Sequence, residues 1–596
     1  MEKNWLLVEA APAQWQSQFP EIPALLRQLL WSRGLRTKEE ITKFLNPSYE
    51  RDLYDPFLFR DMSKAVGRIF TAIEKQEKIY VYGDYDADGV PGAVILKTTL
   101  DTLGAITDIY IPHREKEGYG LNSGAIQYMA SQGAKVIVTC DCGISNAAEV
   151  REANISGLEV IITDHHRIPP DIPEALAILH PLLKDSGYPY PYLTGGGVAF
   201  KFAQALLRKI PPLSLRGGLP RATPQVVVRS EDGLFTLRGG DEYDGFEKWL
   251  LDLVAISTVA DVGKLIGENR TFVKYGLIVL NKTRRLGLQK LIDAAGLKPG
   301  SLDTWSISWK IAPRINSAGR MDHANTAFKL LTAGSADEAN NLASDLNRTN
   351  AERQKVTDHA LQEARAQIGS SDNKYLLTAY NAEWHPGVIG LVAGRLMEQF
   401  RKPVIIGCRN GEGVIVGSAR SINEFNVIEA LAESKQFLLK FGGHPKAAGF
   451  SVAGESEWAQ LVARLEELAR ALLHEADLRP TLTIDADLTL ADANWDTIAA
   501  LKNLEPCGEG NPKPVFLLHN LEVVSVERLG KDGKHLRLVV IDKSRLPRKM
   551  IGFCFGSWCE KLTVRDTIDA VVEIGVNEWN GNQEIELKIV DLRLHT

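Results

Sequence analysis

The sequence predicts an α/β protein with a doubly wound parallel-sheet domain. A smaller α/β domain, joined to it by a long helix, and a C-terminal β-barrel complete the expected fold. Three observations predict it. Apolar β-type runs alternate with helical stretches from residue 78 to about 180, the pattern of a parallel sheet with helices on both faces. One long polar segment, about 335–368, reads as a helix that bridges two domains across a cleft. After Pro480 the composition changes to short β-rich runs separated by turns.

Each part follows in order. Residues 1–75 read as a helical segment, with a turn at Asn46-Pro47 and an amphipathic helix over 63–74. Residues 76–335 form the first α/β domain, with strands at 78–81, 108–111, 135–139, 159–163 and 177–179. Gly195-Gly196-Gly197 reads as a loop opening a helix over 198–207. Residues 211–245 read as an insertion with a hairpin at 225–229 and 234–238, and helix returns over 246–254. The connecting helix takes 336–370 and the second α/β domain 371–476, ending in a glycine-rich turn from Gly442 to Phe450. Within 477–596, five strands are expected at 521–526, 535–540, 549–555, 567–576 and 584–592. They suit a small barrel of the oligonucleotide-binding type, with a sandwich as the competing arrangement.

The chemistry is concentrated where strands end. Tyr82-Gly83-Asp84-Tyr85-Asp86-Ala87-Asp88-Gly89 places three carboxylates at alternate positions directly after an apolar run. Such dense negative charge is costly unless cations neutralise it. Oxygen ligands of this kind suit magnesium or manganese. Asp141 follows the run 136–139, and Asp164-His165-His166 follows 160–163. The apolar run 254–260, read as a further β run, leads into Asp261. In an open parallel sheet the ligand site lies at the carboxyl ends of the strands, so these clusters converge. Asp86, Asp88, Asp141, His165 and Asp261 are then expected to hold two divalent cations, Mn2+ or Mg2+, with Asp141 as the bridge. Asp84 is assigned to orient the loop behind them. The competing reading is that Asp84 or Asp88 caps a helix.

Composition bounds the rest. The length suggests about four domains. The net charge of −6 argues against a general nucleic-acid binder. Residues 281–330 depart from that average, with nine Lys or Arg and three Asp or Glu, hence net +6. Such a segment can line a polyanion groove. Six cysteines in 596 residues make neither a disulfide framework nor a zinc spacing, which fits a reducing cytoplasm. No signal-peptide pattern is visible and no apolar run approaches the ~20 residues that span a bilayer, so a soluble protein without membrane association is expected.

Taken together the motifs carry a resemblance. Asp164-His165-His166, with Gly83-Asp84-Tyr85-Asp86-Ala87-Asp88-Gly89, is similar to the DHH phosphoesterase superfamily. Further matches narrow it: Pro112-His113-Arg114 with Glu117–Leu121, Thr258-Val259-Ala260-Asp261-Val262, and Pro313-Arg314-Ile315-Asn316-Ser317-Ala318-Gly319-Arg320. Gly442-Gly443-His444 with Ala447-Ala448-Gly449-Phe450 completes the set. In order and spacing they resemble the RecJ family of bacterial single-strand-specific DNA exonucleases, from Trp31 to the C-terminus. The resemblance implies a DHH catalytic domain, a DHH-associated domain closing over a narrow channel, and an oligonucleotide-binding C-terminal barrel. It implies 5′→3′ digestion of single-stranded DNA to mononucleotides by a two-metal hydrolysis, in DNA repair and recombination. A single-strand-binding protein and a helicase are implied partners, and a monomer the expected state.

By the same resemblance Asp86, Asp88, Asp141, His165 and Asp261 match the metal ligands. Asp141, Asp164 and His166 form the catalytic set, with His166 at the scissile phosphate or leaving group. Arg114 and Tyr119 match residues at the strand's 5′ end, and Ser418 and Arg420 match a terminal-phosphate pocket. Arg314, Asn316 and Arg320 match backbone contacts, and His444 either meets DNA or holds its own glycine turn. Three stretches depart from the family pattern: Val90-Pro91-Gly92, where small hydroxyl residues are usual, Val262-Gly263-Lys264, where an apolar-Pro pair is usual, and the 211–245 insertion. None removes a ligand. The alternative activity is that of a phosphodiesterase for short oligoribonucleotides or cyclic dinucleotides, against which the extra β-rich module speaks.

Overall fold

The computed structural model describes residues 3–208, 227–230, 234–236, 245–579 and 581–595. It divides into two compact units. One comprises residues 53–263 and 272–478; the other comprises 1–52, 264–271 and 479–596.

The first unit is built on a five-stranded parallel sheet: β1 (Lys78–Gly83), β2 (Ile106–Tyr110), β3 (Ala134–Cys140), β4 (Glu159–Thr163) and β5 (Ala177–Leu179). Their spatial order is β2-β1-β3-β4-β5. That is a doubly wound order with its switch point between β1 and β3. The inner strands β1, β3 and β4 are apolar on both faces because both are covered, whereas the edge strand β2 is only half-buried. Tyr80, Tyr82, Ile137, Val160 and Ile162 join one core beside the helices Ser123–Ser131 and Ala147–Ile155. Helix α1 (Gly89–Thr102) follows β1, and α2 (Gly195–Arg208) packs on it. Val90, Val94, Ile95, Leu96 and Leu100 of α1 are all fully buried. Each such side chain contributes roughly 1.5–3 kcal/mol of apolar burial.

Two expectations are corrected here. Residues 254–260 are not a β run but lie in helix α3 (Leu251–Ala260), with Asp261 at its C-cap. A run that is apolar all round has no period to separate a strand from a buried helix, and α3 is buried from Leu251 to Thr258. The three glycines at 195–197 are the first turn of α2 itself, not a loop before it. Of the 211–245 insertion, the hairpin is present where residues are described: Val227–Ser230 pairs antiparallel with Leu234–Thr236. Apart from Gly245, the remainder lies outside the described residues.

Helix α4 (Ala312–Met321) leads toward the long helix α5 (Ala336–Ile368). Ser335 caps α5 by accepting from the Glu338 backbone N–H, worth ~1 kcal/mol. Ala339, Ala343, Leu346, Asn350, Arg353, Thr357, Ala360 and Ala364 are buried at steps of three and four, one stripe along an otherwise polar helix. A five-stranded mixed sheet follows: β6 (Leu377–Tyr380), β7 (Val404–Arg409), β8 (Ile415–Arg420), β9 (Lys440–His444) and β10 (Ala447–Val452). Its order is β9-β10-β8-β7-β6, and α6 (Pro386–Phe400) packs against it. The expected glycine-rich turn is therefore a β-hairpin, with Gly442 paired to Gly449 and His444 to Ala447.

The second unit holds β11 (Ala486–Leu488), β12 (Phe516–Leu529), β13 (His535–Ile541), β14 (Arg548–Gly552), β15 (Thr567–Trp579) and β16 (Asn582–Leu594). The sheet order is β11-β12-β13-β14-β16-β15, and β12 also pairs with β15. That second pairing closes a barrel rather than a sandwich. Register shifts in β12, at Leu518/Leu521 and Val523/Ser525, let one long strand serve both neighbours. The N-terminal segment is not wholly helical: Asn4–Leu7 pairs in parallel with Thr481–Ile484. Arg270, 1% exposed, donates to the carbonyls of Phe44, Asn503, Leu504, Glu505 and Pro506, so a buried cation is satisfied by five carbonyl dipoles. Among the described residues no helix is long and apolar enough to cross a membrane.

Candidate metal centre

Register builds the site. Gly83 pairs with Cys140, Cys140 with Thr163, and Thr163 with Leu179, so four strands end level. The next residues are Asp84, Asp141, Asp164 and His180. The ladder continues one step beyond the strands: Asp84 N–H donates to Cys140 O, Asp141 N–H to Thr163 O, and Asp164 N–H to Leu179 O. Four ionisable side chains thus stand in one row at the switch point. Asp86 and Asp88 follow in the loop to α1, and Asp261 arrives from the end of α3.

The carboxylates are held by opposed helix starts. Asp86 accepts from Asp88 N–H (2.8 Å) and Gly89 N–H (3.1 Å). Asp88 accepts from Gly195 and Gly196 N–H, both at 2.7 Å, at the first turn of α2. The buried Ser257 hydroxyl also donates to Asp88, and Thr194 meets Ser257 at 2.9 Å. A Cβ at Gly195 would strike the Asp141 side chain, and one at Gly196 would strike Ser257. The Gly92 departure has a similar cause, because a Cβ there would strike Cys140 Sγ. Asp141 has φ 64° and Val262, directly after Asp261, has φ 57°. Both lie in the left-handed region that L-residues avoid, strain that is typical of functional sites.

Three overlapping groups bring ligand atoms within 4.8 Å of one another: Asp84, Asp86 and Asp141; Asp88, His165 and Asp261; Asp141, His165 and His166. Asp141 and His165 each belong to two groups. His165 Nε2 lies 3.0 Å from Asp141 Oδ1, 3.5 Å from Asp88 Oδ2 and 3.8 Å from Asp261 Oδ2. Burial, then the charges of Asp88, Asp86, Asp84 and Asp261, drive the Asp141 carboxyl well above its usual range. Burial and Asp86 do the same to Asp84, and burial with Asp88 and Asp86 pushes Asp261 up to about 8. Burial lowers His165, favouring the neutral imidazole that binds metals. Asp84 Oδ1 is buried with no hydrogen-bond partner. Crowded, mutually repelling carboxylates, a neutral imidazole and an orphan buried oxygen fit divalent cations.

Asp164 has a different part. Its Oδ1 accepts from His165 N–H (2.7 Å), His166 N–H (3.1 Å) and His166 Nδ1 (2.8 Å), and its Oδ2 from Ile144 N–H. Burial alone would raise this carboxyl, but the bonds and charges of His166 and His165 hold it below the usual carboxylate range. In return, and against the effect of burial, Asp164 pushes His166 up to about 9. Tyr119 Oη donates to Asp141 O and lies 3.0 Å from His166 Nδ1. Tyr119, expected at the strand's 5′ end, therefore also orients His166.

The other expected residues fall in two places. Asn316 Oδ1 accepts from Ala87 N–H, so it braces the carboxylate loop. Arg314 donates to Asn347 Oδ1 and Lys310 O, and Arg320 to Gly387 O. Arg420 Nη1 donates to Ser418 Oγ and Ala419 O, and Arg114 lies over the Tyr85 ring, 5.0 Å from its centroid. Burial, then Arg114 and Arg353, lower Arg320 to about 9; burial and Arg114 lower Arg420. These arginines crowd one another, with Asp86 acting on Arg320 and Arg114 on Asp84 from the carboxylate side, and their positive excess suits an anion. His444 Nδ1 accepts from Lys446 N–H, holding its hairpin, and is lowered by burial and Arg420.

Sequence reasoning missed three contributors: Ser257, the Gly195 and Gly196 amides, and His180. Arg353, which the sequence offers as solvated or paired within its helix, is buried there, donates to Asn350 Oδ1 and acts on Arg320. His180 is fully buried; its Nε2–H donates to His166 O and its Nδ1 accepts from Leu182 N–H. The signal was available, since His180 follows the 177–179 strand as the aspartates follow theirs.

This sheet order, with acids and a histidine pair at its switch point, defines a DHH-type phosphoesterase fold with an associated domain. Family descriptions agree: DHH family, N-terminal domain, over residues 78–217; DHHA1 domain over 372–471; and RecJ OB domain over 484–591. The chain is 36% identical to the single-stranded-DNA-specific exonuclease RecJ of Bacillus subtilis, over 98% of this chain and 71% of that one. It superposes on RecJ of Thermus thermophilus in complex with Mn2+ with TM-score 0.81 and 30% identity, covering 100% of this chain and 80% of that one. The Mg2+ complex from the same organism gives TM-score 0.74 and 28% identity, covering 100% and 79%. The chain belongs to the RecJ family.

Proposed function

We propose that this protein is a metal-dependent exonuclease that degrades single-stranded DNA from its 5′ end to mononucleotides, in DNA repair and recombination. The row of strand-end acids at the switch point, with its orphaned Asp84 oxygen, carries the reading. Asp86, Asp88, Asp141, His165 and Asp261 would hold two divalent cations, Mn2+ or Mg2+, with Asp84 as an added oxygen donor. Bound there, such cations supply an activated water and neutralise charge developing at phosphorus.

The chain's own groups do the rest. Asp164 keeps His166 protonated, and Asp164 and Tyr119 engage its Nδ1, leaving Nε2 to donate to a phosphate or leaving-group oxygen. His180 fixes the backbone behind His166. Arg114, Ser418 and Arg420 form the terminal-phosphate pocket, with His444 at its edge. Arg314 and Arg320 meet the phosphate backbone, and Asn316 keeps the carboxylate loop in place. Functionally the chain divides into an N-terminal segment (1–75), a catalytic domain (76–335), a connecting helix (336–370), a DHH-associated domain (371–476) and a barrel (477–596). A cytoplasmic monomer that works with a single-strand-binding protein and a helicase completes the proposal.

Manganese-dependent digestion of 5′-labelled and 3′-labelled single strands, with a duplex control, tests it. Immediate release of labelled mononucleotide from the first and a shrinking ladder from the second are expected, with the duplex spared. Hydrolysis of dinucleotides alone would move the chain to the small-substrate branch of the superfamily.

A further inference from the structure

Two tryptophans stand in solvent where the proposed chemistry has no use for them. Trp305 is 49% exposed and Trp309 68%. Their setting is firm. Asp303 and Ser306 form a capping box around Thr304–Ser306, and Ile307 and Ile311 are fully buried. Residues Ile307–Ile311 form a π-helical turn, a feature that recurs at functional sites. Four residues apart, the two indoles share one side of this turn. An exposed apolar surface on a fixed element marks a contact for something else.

Cations interleave with the rings. Lys310 Nζ lies 5.8 Å from the Trp305 ring centroid, and Arg284 Cζ lies 4.0 Å from that of Trp249. The Asn281 side chain bonds Leu302 N–H and O, which ties the Arg284 turn to the Trp305 turn. The whole stretch 281–330 carries the net +6 noted above. The turn runs directly into α4, whose Asn316 braces the carboxylate loop at Ala87. Seven residues of helix place Trp309 about 10 Å along the axis from Asn316. One continuous helical element thus links the aromatic-cationic patch to the metal centre.

We propose that Trp305, Trp309 and Lys310 form a base-stacking platform for single-stranded DNA beyond the catalytic cleft. The inference rests on the nuclease reading and extends it to a site on the strand's path. Every base offers a π-face, so stacking is tolerant of sequence, while a duplex keeps those faces covered. Lys310 supplies a phosphate partner beside the rings. The positive excess favours a polyanion over a protein partner.

The test compares the full chain with Trp305→Ala/Trp309→Ala, using Mn2+ and two 5′-phosphorylated substrates, a long oligo-dT and a trinucleotide. The ratio of their kcat/KM values is expected to fall about tenfold, through KM on the long strand. Trp305→Leu/Trp309→Leu keeps apolar bulk without a π-face and must lose the ratio too; Trp305→Phe/Trp309→Phe should keep most of it. An unchanged ratio in the Ala and Leu variants overturns the platform, whatever protein the patch then serves. If the parent chain cleaves neither substrate, the nuclease reading fails by itself. Anisotropy of labelled oligo-dT in EDTA then decides the platform: about tenfold weaker binding by the Ala variant supports it, and equal binding overturns it.

Discussion

The carboxylate centre and the arginine cluster are charged in opposite senses and built in opposite ways. Asp84, Asp141 and Asp164 come from adjacent strand ends of one sheet, where the backbone ladder itself sets their spacing, and Asp86, Asp88 and Asp261 join them from the following loop and from the end of α3. The arginines come from a loop (Arg114), a helix (Arg320), the connecting helix (Arg353) and a strand of another sheet (Arg420), brought together only by tertiary packing. Each cluster repels itself, and the charges it meets from the other offset only part of that repulsion, since Asp84 stays raised and Arg320 stays lowered. The first suits cations and the second an anion, and under the proposed function a phosphate-terminated strand with its metal ions would supply both. The proposed chemistry is thus wired largely into the sheet, while the proposed recognition of the strand end depends on how later parts of the chain pack beside it.

Four measurements put that contrast at risk. Asp141→Ala removes the residue shared by two ligand groups and is expected to cut Mn2+-dependent nucleotide release at least about a thousandfold, with single-strand binding partly kept. Turnover near that of the parent would break the assignment of the acids. Asp164→Asn keeps the shape but not the charge, and should cost about a hundredfold in kcat. In the metal-free protein it should also lower the His166 imidazole from about 9 toward its ordinary value, read by NMR titration. An unmoved His166 would show that Asp164 does not hold its proton. Arg420→Ala acts on the other cluster. Loss of a charge-assisted bond should raise KM about tenfold for 5′-phosphorylated strands and much less for 5′-hydroxyl strands. Equal losses on both would remove the terminal phosphate from that pocket.

The smallest effect is on stability. Asp84, Asp141 and Asp261 have carboxyls raised above the unfolded value of 3.8, Asp261 to about 8. The folded, metal-free chain therefore keeps protons that the unfolded chain has already released. These three carboxyls therefore cost stability as pH rises from about 4 to about 8, and the buried His165 and His180, lowered by burial, offset part of that only below about 6.5. Melting of EDTA-treated protein should drop by a few degrees across that window, and Mn2+ should restore most at the alkaline end. A melting temperature that rises with pH would contradict the crowding of these acids.

The acids are legible in the sequence and the arginines only partly so, for the same reason. Asp84, Asp141 and Asp164 each follow an apolar run, so a strand-end pattern is visible without any fold. Asp261 stands out in the sequence for a wrong reason, because 254–260 is apolar all round and its helical period is invisible. The barrel's five strands are readable from turns and β-rich runs, but the strand Ala486–Leu488 and the pairing that closes the sheet are not. Asn316 and Tyr119 carry motif matches, yet their partners, Ala87 N–H and His166, are set by packing. His180 lacks a neighbouring acid to draw notice, although it stands level with Asp164 in the same row.

The level strand ends also bear on safety. A slip of one residue in β3 would turn Asp141 to the other face of the sheet and take the adjoining acid away from its neighbours. The centre also waits for Asp261, more than a hundred residues downstream of Asp141. A chain that is half made, or threaded out of register, holds too few acids in one place to cut anything. The metal centre of this RecJ-family chain is thereby completed only when its own folding is correct.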